Sequence, residues 1–289
     1  MSSIIYYSIP FFLVTMLVEW LAIRRRDLRG YTSQDTAASL GMGIGNVVIA
    51  AGIKTGVLAI YVYLSRFALF EIEPSWWVWL LVFVSEDLCY YWFHRVSHES
   101  RLFWAAHVNH HSSQHYNLST ALRQSWTTPF TSPIFWVPMV LIGFPPWMIL
   151  IQQAISLLYQ YWIHTELIER MGPFELLFNT PSHHRVHHGR NAQYLDRNYA
   201  GILIVWDRIF GTFEPEEEPV DYGLTKNIET FNLVKIAFHE WSAMFRDFGA
   251  ARSWSDRLQV LMQPPGWAPD GAGHTAAQLR AEREAALPS

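Results

Sequence analysis

Three long apolar runs constrain the fold of this chain more than any other feature of its sequence. They cover residues 4–23, 38–64 and 76–93, and a run of about 20 apolar residues can cross a bilayer as a helix. Charged residues make up only 16% of the chain, whereas soluble domains carry about 25%. We therefore predict an integral membrane protein built from helices.

A further apolar stretch, residues 130–163, is interrupted by the sequence GFPPW at 143–147. Glycine and paired prolines are a turn signal, so we predict a hairpin with arms at about 129–143 and 145–163. Each arm is short for a full span, which leaves partial insertion of the hairpin open. The expected fold class is all-α: an integral membrane helical bundle of about four to five membrane segments, with a cytoplasmic helical cap.

The sequence RRRDLR at 24–29 directly follows the first run, and clustered arginines favour the cytoplasmic side of a membrane. When the spans are counted from that point, the end of 76–93 and both ends of the hairpin return to the cytoplasm. The histidine-rich sequences lie at those ends. We therefore expect a multi-pass protein whose histidines face the cytoplasm. The run at 4–23 lacks the basic start and the cleavage site of a signal peptide.

Nine of the thirteen histidines lie in three short motifs, and His164 stands alone at the end of an apolar segment. On a helix, residues three or four apart share one face, so each motif can direct several imidazoles at one metal ion. A single such pair is common by chance, but three motifs at the ends of membrane segments are not. The motifs are HRVSH (His94, His98), HVNHH (His107, His110, His111) and HHRVHH (His183, His184, His187, His188).

The number of histidines points to two metal ions, because one zinc ion takes about four ligands. The three motifs and His164 together hold ten imidazoles, or nine if His183 is not a ligand. Imidazole suits iron, copper and zinc. His183 lies one residue before the spacing formed by His184, His187 and His188. It is therefore equally expected to be a metal ligand or a group that supports a ligand. Glu99 follows the first pair and is placed to orient a ligand's second nitrogen. Asn191 is expected to support the site or fix its loop.

The motifs and the sequence around them resemble the fatty acid hydroxylase/sterol desaturase superfamily of membrane-embedded, histidine-rich di-iron enzymes. The stretches SEDLCYYWFHRVSHESRLFWAAHVNHH and NTPSHHRVHHGRNAQYLDRNYAG are most similar to its alkylglycerol monooxygenase-like branch, and the resemblance covers about residues 76–216. It implies an O2-dependent monooxygenase that hydroxylates a fatty acyl, alkyl ether or sterol-like chain of a membrane lipid. The iron ligands that it implies are the nine histidines other than His183.

The resemblance also implies two iron ions, O2 and an external electron donor, for which tetrahydropterin, cytochrome b5 and ferredoxin are the candidates. We expect a bacterial inner-membrane protein, or one of the endoplasmic reticulum in a eukaryote. The expected organisation is N-terminal membrane segments at 1–75, the catalytic domain at 76–213 and a polar tail at 214–289. A net charge of −4 argues against a nucleic-acid partner. Cys89 is the only cysteine, which excludes an intrachain disulfide and cysteine-based metal clusters.

Two alternatives remain at this point. The first is a sterol or fatty-acyl desaturase, or a sterol methyl oxidase, of the same superfamily. The second is a non-catalytic membrane metal-binding protein or transporter. A transporter would place its histidines and carboxylates along the spans, whereas here they are concentrated at the ends of the spans.

Overall fold

The structure is a computed structural model and describes residues 2–26 and 30–286, with side chains described from residue 7 onward. This part of the chain contains α-helices, short 3-10 turns and two isolated β-bridges, with no strand among the described residues. Its α-helices are α1 (Ser2–Arg25), α2 (Ser33–Leu64), α3 (Trp76–Glu99), α4 (Arg101–Ala105), α5 (Val108–His111), α6 (Thr128–Thr131), α7 (Val137–Ile142), α8 (Pro146–Trp162), α9 (Pro181–His188), α10 (Val205–Phe210), α11 (Leu233–Ala250), α12 (Trp254–Met262) and α13 (Ala276–Ala286).

The first two apolar runs form α1 and α2, and both are long and apolar enough to cross a membrane. Only 22% and 11% of the residues in their most apolar windows are buried. A core helix of a soluble protein would be mostly buried, so these helices present their apolar side chains outward. Of the arginine-rich sequence between them, Asp27, Leu28 and Arg29 lie outside the described residues.

The third run forms α3, which continues beyond residue 93 and carries His94 and His98 in its last turns. One face of α3 is exposed and apolar, whereas its opposite face packs against α8 and the 3-10 turn Pro133–Trp136. Its hydropathy does not place it with α1 and α2 among the candidate spans found in the described residues. The number of four to five membrane segments therefore stays a prediction.

The predicted hairpin is present, but only its second arm is a continuous helix, α8. The first arm is divided into α6, a 3-10 turn at Pro133–Trp136 and α7. Pro133 and Pro138 account for this division, because proline removes a backbone donor and clashes with the preceding helical turn. The turn itself requires Gly143, which has a φ of +123° and at which a Cβ atom would clash with the carbonyl oxygen of Phe70.

The region after residue 214 includes helices that pack against the rest of the chain. α11 buries Ile236 and Ala237 against α2, and Met244 packs with Ala105 of α4 and Val260 of α12. The acidic sequence at 214–219 forms a loop, and α13 is a helix without buried residues. The C-terminal region thus forms part of the surroundings of the histidine motifs.

Candidate metal centre

The ends of four elements bring the histidine motifs together. α3 carries His94 and His98 in its last turns, His107 caps the short α5, and His164 lies just beyond the C-terminus of α8. α9 carries the third motif and begins with Pro181 after an extended Thr180, which is a favourable first helical position for proline. All nine histidines implied as ligands by the resemblance are buried.

The nine side chains form two groups, in each of which one potential ligand atom per residue lies within 4.8 Å of the others. We call them the five-histidine group (His94, His98, His107, His111, His187) and the four-histidine group (His110, His164, His184, His188). Each three-residue spacing is therefore split: α5 and its cap supply both groups, and so does α9. The sequence spacing predicted shared faces, but this division depends on how the helix ends pack.

The ring nitrogens within each group are close enough to share an ion. In the five-histidine group, Nε2 of His107 lies 3.1 Å from Nε2 of both His94 and His111. In the four-histidine group, Nε2 of His164 lies 3.2 Å from that of His110 and 3.1 Å from that of His184. Two nitrogens about 2.1 Å from one ion and at right angles to each other would be about 3.0 Å apart. The donor spacing therefore fits a metal ion with nitrogen ligands.

Unpaired nitrogens point to the same conclusion. Nε2 of His98, His187 and His188 is buried and has no hydrogen-bond partner, although buried polar atoms are normally paired. A metal ion bound by each group would satisfy these atoms.

Burial keeps several of the nine imidazoles neutral, and the neutral form is the one that binds a metal. It lowers the pKa of His107, His111 and His187 well below the usual value, and neighbouring imidazoles lower it further. The pKa values of His184 and His188 are lowered for the same reasons. Burial is also the main cause that lowers the pKa of His110 to about 4. These six histidines thus present neutral nitrogen donors at neutral pH.

Backbone carbonyls orient three of the rings. Nδ1 of His94 donates to the carbonyl oxygen of Tyr199 at 2.8 Å, and Nδ1 of His187 donates to that of Arg197 at 2.9 Å. Nδ1 of His164 donates to the carbonyl oxygen of Gln160 at 2.7 Å. A proton fixed on Nδ1 leaves the lone pair of Nε2 for a metal.

Two buried carboxylates hold the loop that carries the Tyr199 carbonyl. Asp207 accepts hydrogen bonds from the backbone N–H groups of Tyr199 and Ala200, each at 2.8 Å. Asp87 of α3 accepts from those of Ile202 and Leu203. Burial raises the pKa of Asp207 to about 6, despite the hydrogen bonds that oppose this shift. Neither carboxylate belongs to a histidine motif, so the sequence pattern gave neither of them a role.

Three of the predicted site residues lie elsewhere. The ring of His183 is outside both groups and packs edge-on against Phe213 at 5.3 Å. The carboxylate of Glu99 accepts a hydrogen bond from Arg95 at 2.9 Å, and no described contact joins it to a histidine. The side-chain amide of Asn191 donates to the carbonyl oxygen of Pro219, and its oxygen accepts from the backbone N–H of Asp221.

Two unexpected side chains lie beside the groups. Oδ1 of Asp196 lies 3.6 Å from Nδ1 of His98. Asp196 thus occupies the place beside a ligand's second nitrogen that was predicted for Glu99. The buried ring of Tyr116 stacks on His164 with a centroid distance of 5.6 Å and lies 5.2 Å from His188. Neither Asp196 nor Tyr116 lies in a histidine motif. The only sequence signal for Asp196 is its position within residues 76–216, the part of the chain that resembles the family.

A cavity of about 520 Å³ adjoins the five-histidine group. His98, His111 and His187 of that group line it, together with His188 of the four-histidine group. The opposite wall comes from the C-terminal region, including His239, Glu240 and Trp267. The histidines are therefore accessible from a partly polar chamber.

Residues 79–212 match the family model described as fatty acid hydroxylase. The chain is 44% identical to human alkylglycerol monooxygenase over 266 residues, which cover 90% of this chain and 59% of the relative. It is 44% identical to the zebrafish (Danio rerio) alkylglycerol monooxygenase over 91% of this chain and 58% of the relative. No solved structure matches the chain.

Residues 79–212 are therefore similar to the fatty acid hydroxylase family. This finding confirms the resemblance predicted from the motifs, and both histidine groups lie within the matched residues. A more distant relative is the ornithine lipid hydroxylase OlsE of Rhizobium tropici, 29% identical over 74% of this chain and 67% of the relative. The chain spans about three fifths of the length of the alkylglycerol monooxygenases that it matches. Members of the family are membrane proteins, in agreement with the exposed apolar α1 and α2.

Proposed function

We propose that the protein is an O2-dependent di-iron monooxygenase that hydroxylates a chain of a membrane lipid. The observation that carries this proposal is the convergence of nine buried imidazoles into two adjacent groups, within the residues that match the fatty acid hydroxylase family. Nitrogen-only donor sets suit iron among other transition metals. The names of the relatives, which describe lipid hydroxylases and monooxygenases, favour iron and O2 over zinc.

The reaction adds one oxygen atom of O2 to a C–H bond, and two electrons and two protons reduce the other atom to water. The iron ions, when bound, supply the redox chemistry that an unactivated C–H bond requires. The chain's own residues hold the metals and keep the ligand nitrogens oriented. The carbonyls of Tyr199 and Arg197 hold His94 and His187, while buried apolar neighbours such as Val186 exclude water.

The electron donor is proposed to be external, with tetrahydropterin, cytochrome b5 and ferredoxin as candidates. No flavin, haem or dinucleotide motif is recognisable in the sequence, and Cys89 is the only thiol. The cavity beside the five-histidine group has a volume of about 520 Å³, which is within the range of small-molecule sites. This size is compatible with a small donor or with part of the substrate.

The proposed substrate is a membrane lipid with a fatty acyl, alkyl ether or sterol-like chain. α3 connects an exposed apolar face, with Leu80 and Val84, to the histidines at its C-terminal end. A lipid chain in the bilayer could therefore approach along the helix that carries His94 and His98. We further propose residues 76–213 as the catalytic domain of a multi-pass protein, with the histidines on the cytoplasmic face of an inner or endoplasmic reticulum membrane.

The decisive experiment supplies the purified protein, reconstituted with iron in nanodiscs of its host's lipids, with 18O2 and a reductant. A hydroxylated lipid carrying 18O is expected, together with about two iron ions per chain. A new double bond without label would instead identify a desaturase. Metal storage or flux without O2 consumption, or full activity with zinc alone, would contradict the proposed reaction.

A further inference from the structure

Helix α11 has three distinct faces. Its buried face contains Ile236, Ala237 and Met244, and its polar face contains Lys235, Ser242 and Arg246. The third face is apolar, and its side chains are separated by four, three and four residues, which places them in one row. This row is Val234, Phe238, Trp241 and Phe245, of which Phe245 is 60% exposed and Trp241 is half-buried.

The following helix, α12, has a similar exposed row. Trp254, Leu258 and Met262 are four residues apart, and Trp254 is 71% exposed. Val260 on the other side is buried against α4 and α11. Each of these two consecutive helices thus packs one face against the rest of the protein and has a second, apolar face that is exposed. We call these two rows together the interfacial face.

The position of α11 relative to α2 indicates what covers this face. Ile236 and Ala237 pack against Ala38 and Met42, within the first three turns of α2. Phe238 lies 6.3 Å from the ring of Trp126, whose Nε1 donates to the carbonyl oxygen of Met42. Beyond this contact, α2 continues with exposed Ile44 and Val48. The interfacial face therefore adjoins the end of a helix that is long and apolar enough to cross a membrane.

The charges around the face fit an anionic lipid surface. Both acidic residues of α11, Glu240 and Asp247, are held by Arg101 at 2.7 Å. Lys235, Arg246 and Arg252 remain exposed. Helices with an apolar face, basic flanks and tryptophan at the boundary lie in the headgroup region of membranes. Nearby cations strengthen their attachment to an anionic surface.

We propose that α11 and α12 lie in the headgroup region of the bilayer, with the interfacial face turned toward the acyl chains. α11 also lines the cavity beside the histidines through His239 and Glu240. The bilayer surface would then be about one helix diameter, 10 to 12 Å, from that cavity. The C-terminal region thus acts as a peripheral membrane contact in addition to the spans, and this proposal does not depend on the reaction proposed above.

Spin labels at single cysteines test the proposal, because Cys89 is the only native cysteine and can be removed as Cys89→Ala. Labels at Phe245→Cys and Leu258→Cys are compared with a label at Ser242→Cys on the polar face of α11. In nanodiscs containing phosphatidylglycerol, we expect relaxation by O2 relative to a water-soluble nickel chelate to be several-fold higher at 245 and 258 than at 242. Equal access of the chelate to all three labels would overturn the proposal, and so would spin–spin broadening that showed a second copy on this face.

An experiment without substitutions guards against variants that fail to fold. Lipids that carry a photoactivatable diazirine near the headgroup are cross-linked to the unmodified protein, and the labelled peptides are mapped by mass spectrometry. We expect labelling within 231–262, and none within α13, whose sequence AAQLRAEREAA offers no comparable apolar row. Labelling confined to α1, α2 and α3 would overturn the proposal.

Discussion

The two histidine groups differ in how firmly their rings are held and in what they face. In the five-histidine group, His94 and His187 donate to backbone carbonyls and His98 faces Asp196. Three of its members also line the cavity. In the four-histidine group, His164 is held by a carbonyl, whereas Nδ1 of His110 and of His184 is buried without a partner.

This difference indicates that two metal ions at these groups would not be equivalent. An ion with octahedral preference accepts about six ligands, so the four-histidine group leaves more positions for other ligands. The five-histidine group has more oriented rings and direct access to the cavity. We therefore expect the five-histidine group to bind metal more tightly and the four-histidine group to be more easily emptied.

The largest expected effect is the loss of activity when His184, a member of the four-histidine group, is replaced, compared with replacement of the adjacent His183. His184→Ala removes a donor of the four-histidine group and should lower turnover by about 1,000-fold or more, since even loss of an outer hydrogen bond costs up to about 100-fold. Metal analysis should show one ion fewer per chain, with the five-histidine group still occupied.

His183→Ala is the matched control, because His183 is adjacent, buried and outside both groups. It should retain both ions and most of the activity. If the two variants lost metal equally, the assignment of His183 outside the groups would be wrong.

The pH dependence of the stability of the metal-free protein tests the burial of the histidines, which both groups share. Burial lowers the pKa of His110 from its usual value near 6.5 to about 4, so the unfolded chain binds more protons between these values. The contribution of His110 to the free energy of unfolding is therefore fully present above about pH 6.5. It falls by about 3 kcal/mol as the pH is lowered toward 4. Thermal melts of the metal-free protein at several pH values measure it, and His110→Asn should reduce the slope. A flat profile would contradict the burial of neutral imidazoles.

The sequence predicted the parts of this molecule that depend on local patterns. The apolar runs became α1, α2 and α3. The histidine spacing indicated eight members of the two groups, the family resemblance added His164, and His183 was left undecided. The division of HVNHH between the groups was not predictable, because it depends on how α5 packs against α3 and α9. The role of the Tyr199 carbonyl could not be predicted from the pattern of side chains, because a backbone group carries no sequence signal. Glu99 is next to His98 in sequence, but its carboxylate accepts a hydrogen bond from Arg95.

A smaller effect is expected from the carboxylate beside the five-histidine group. Asp196→Asn removes the charge 3.6 Å from Nδ1 of His98 and should weaken metal binding by about 10-fold, since such partners raise the basicity of a ligand. Titration with a competing chelator measures the change. Asp221→Asn, which alters an exposed ion pair with Arg190, serves as the control. Equal affinities in both variants would show that Asp196 does not support His98.

The smallest expected effect concerns the wall of the four-histidine group. Tyr116→Phe keeps the ring that stacks on His164 and removes only the hydrogen bond from its hydroxyl to the carbonyl oxygen of Ile163, at 3.0 Å. Loss of one buried hydrogen bond costs about 1 kcal/mol, so the melting temperature should fall by a few degrees while both ions remain bound. Tyr116→Ala also removes the ring and should release metal from the four-histidine group first. If metal left the five-histidine group instead, the weaker hold inferred for His110 and His184 would be wrong.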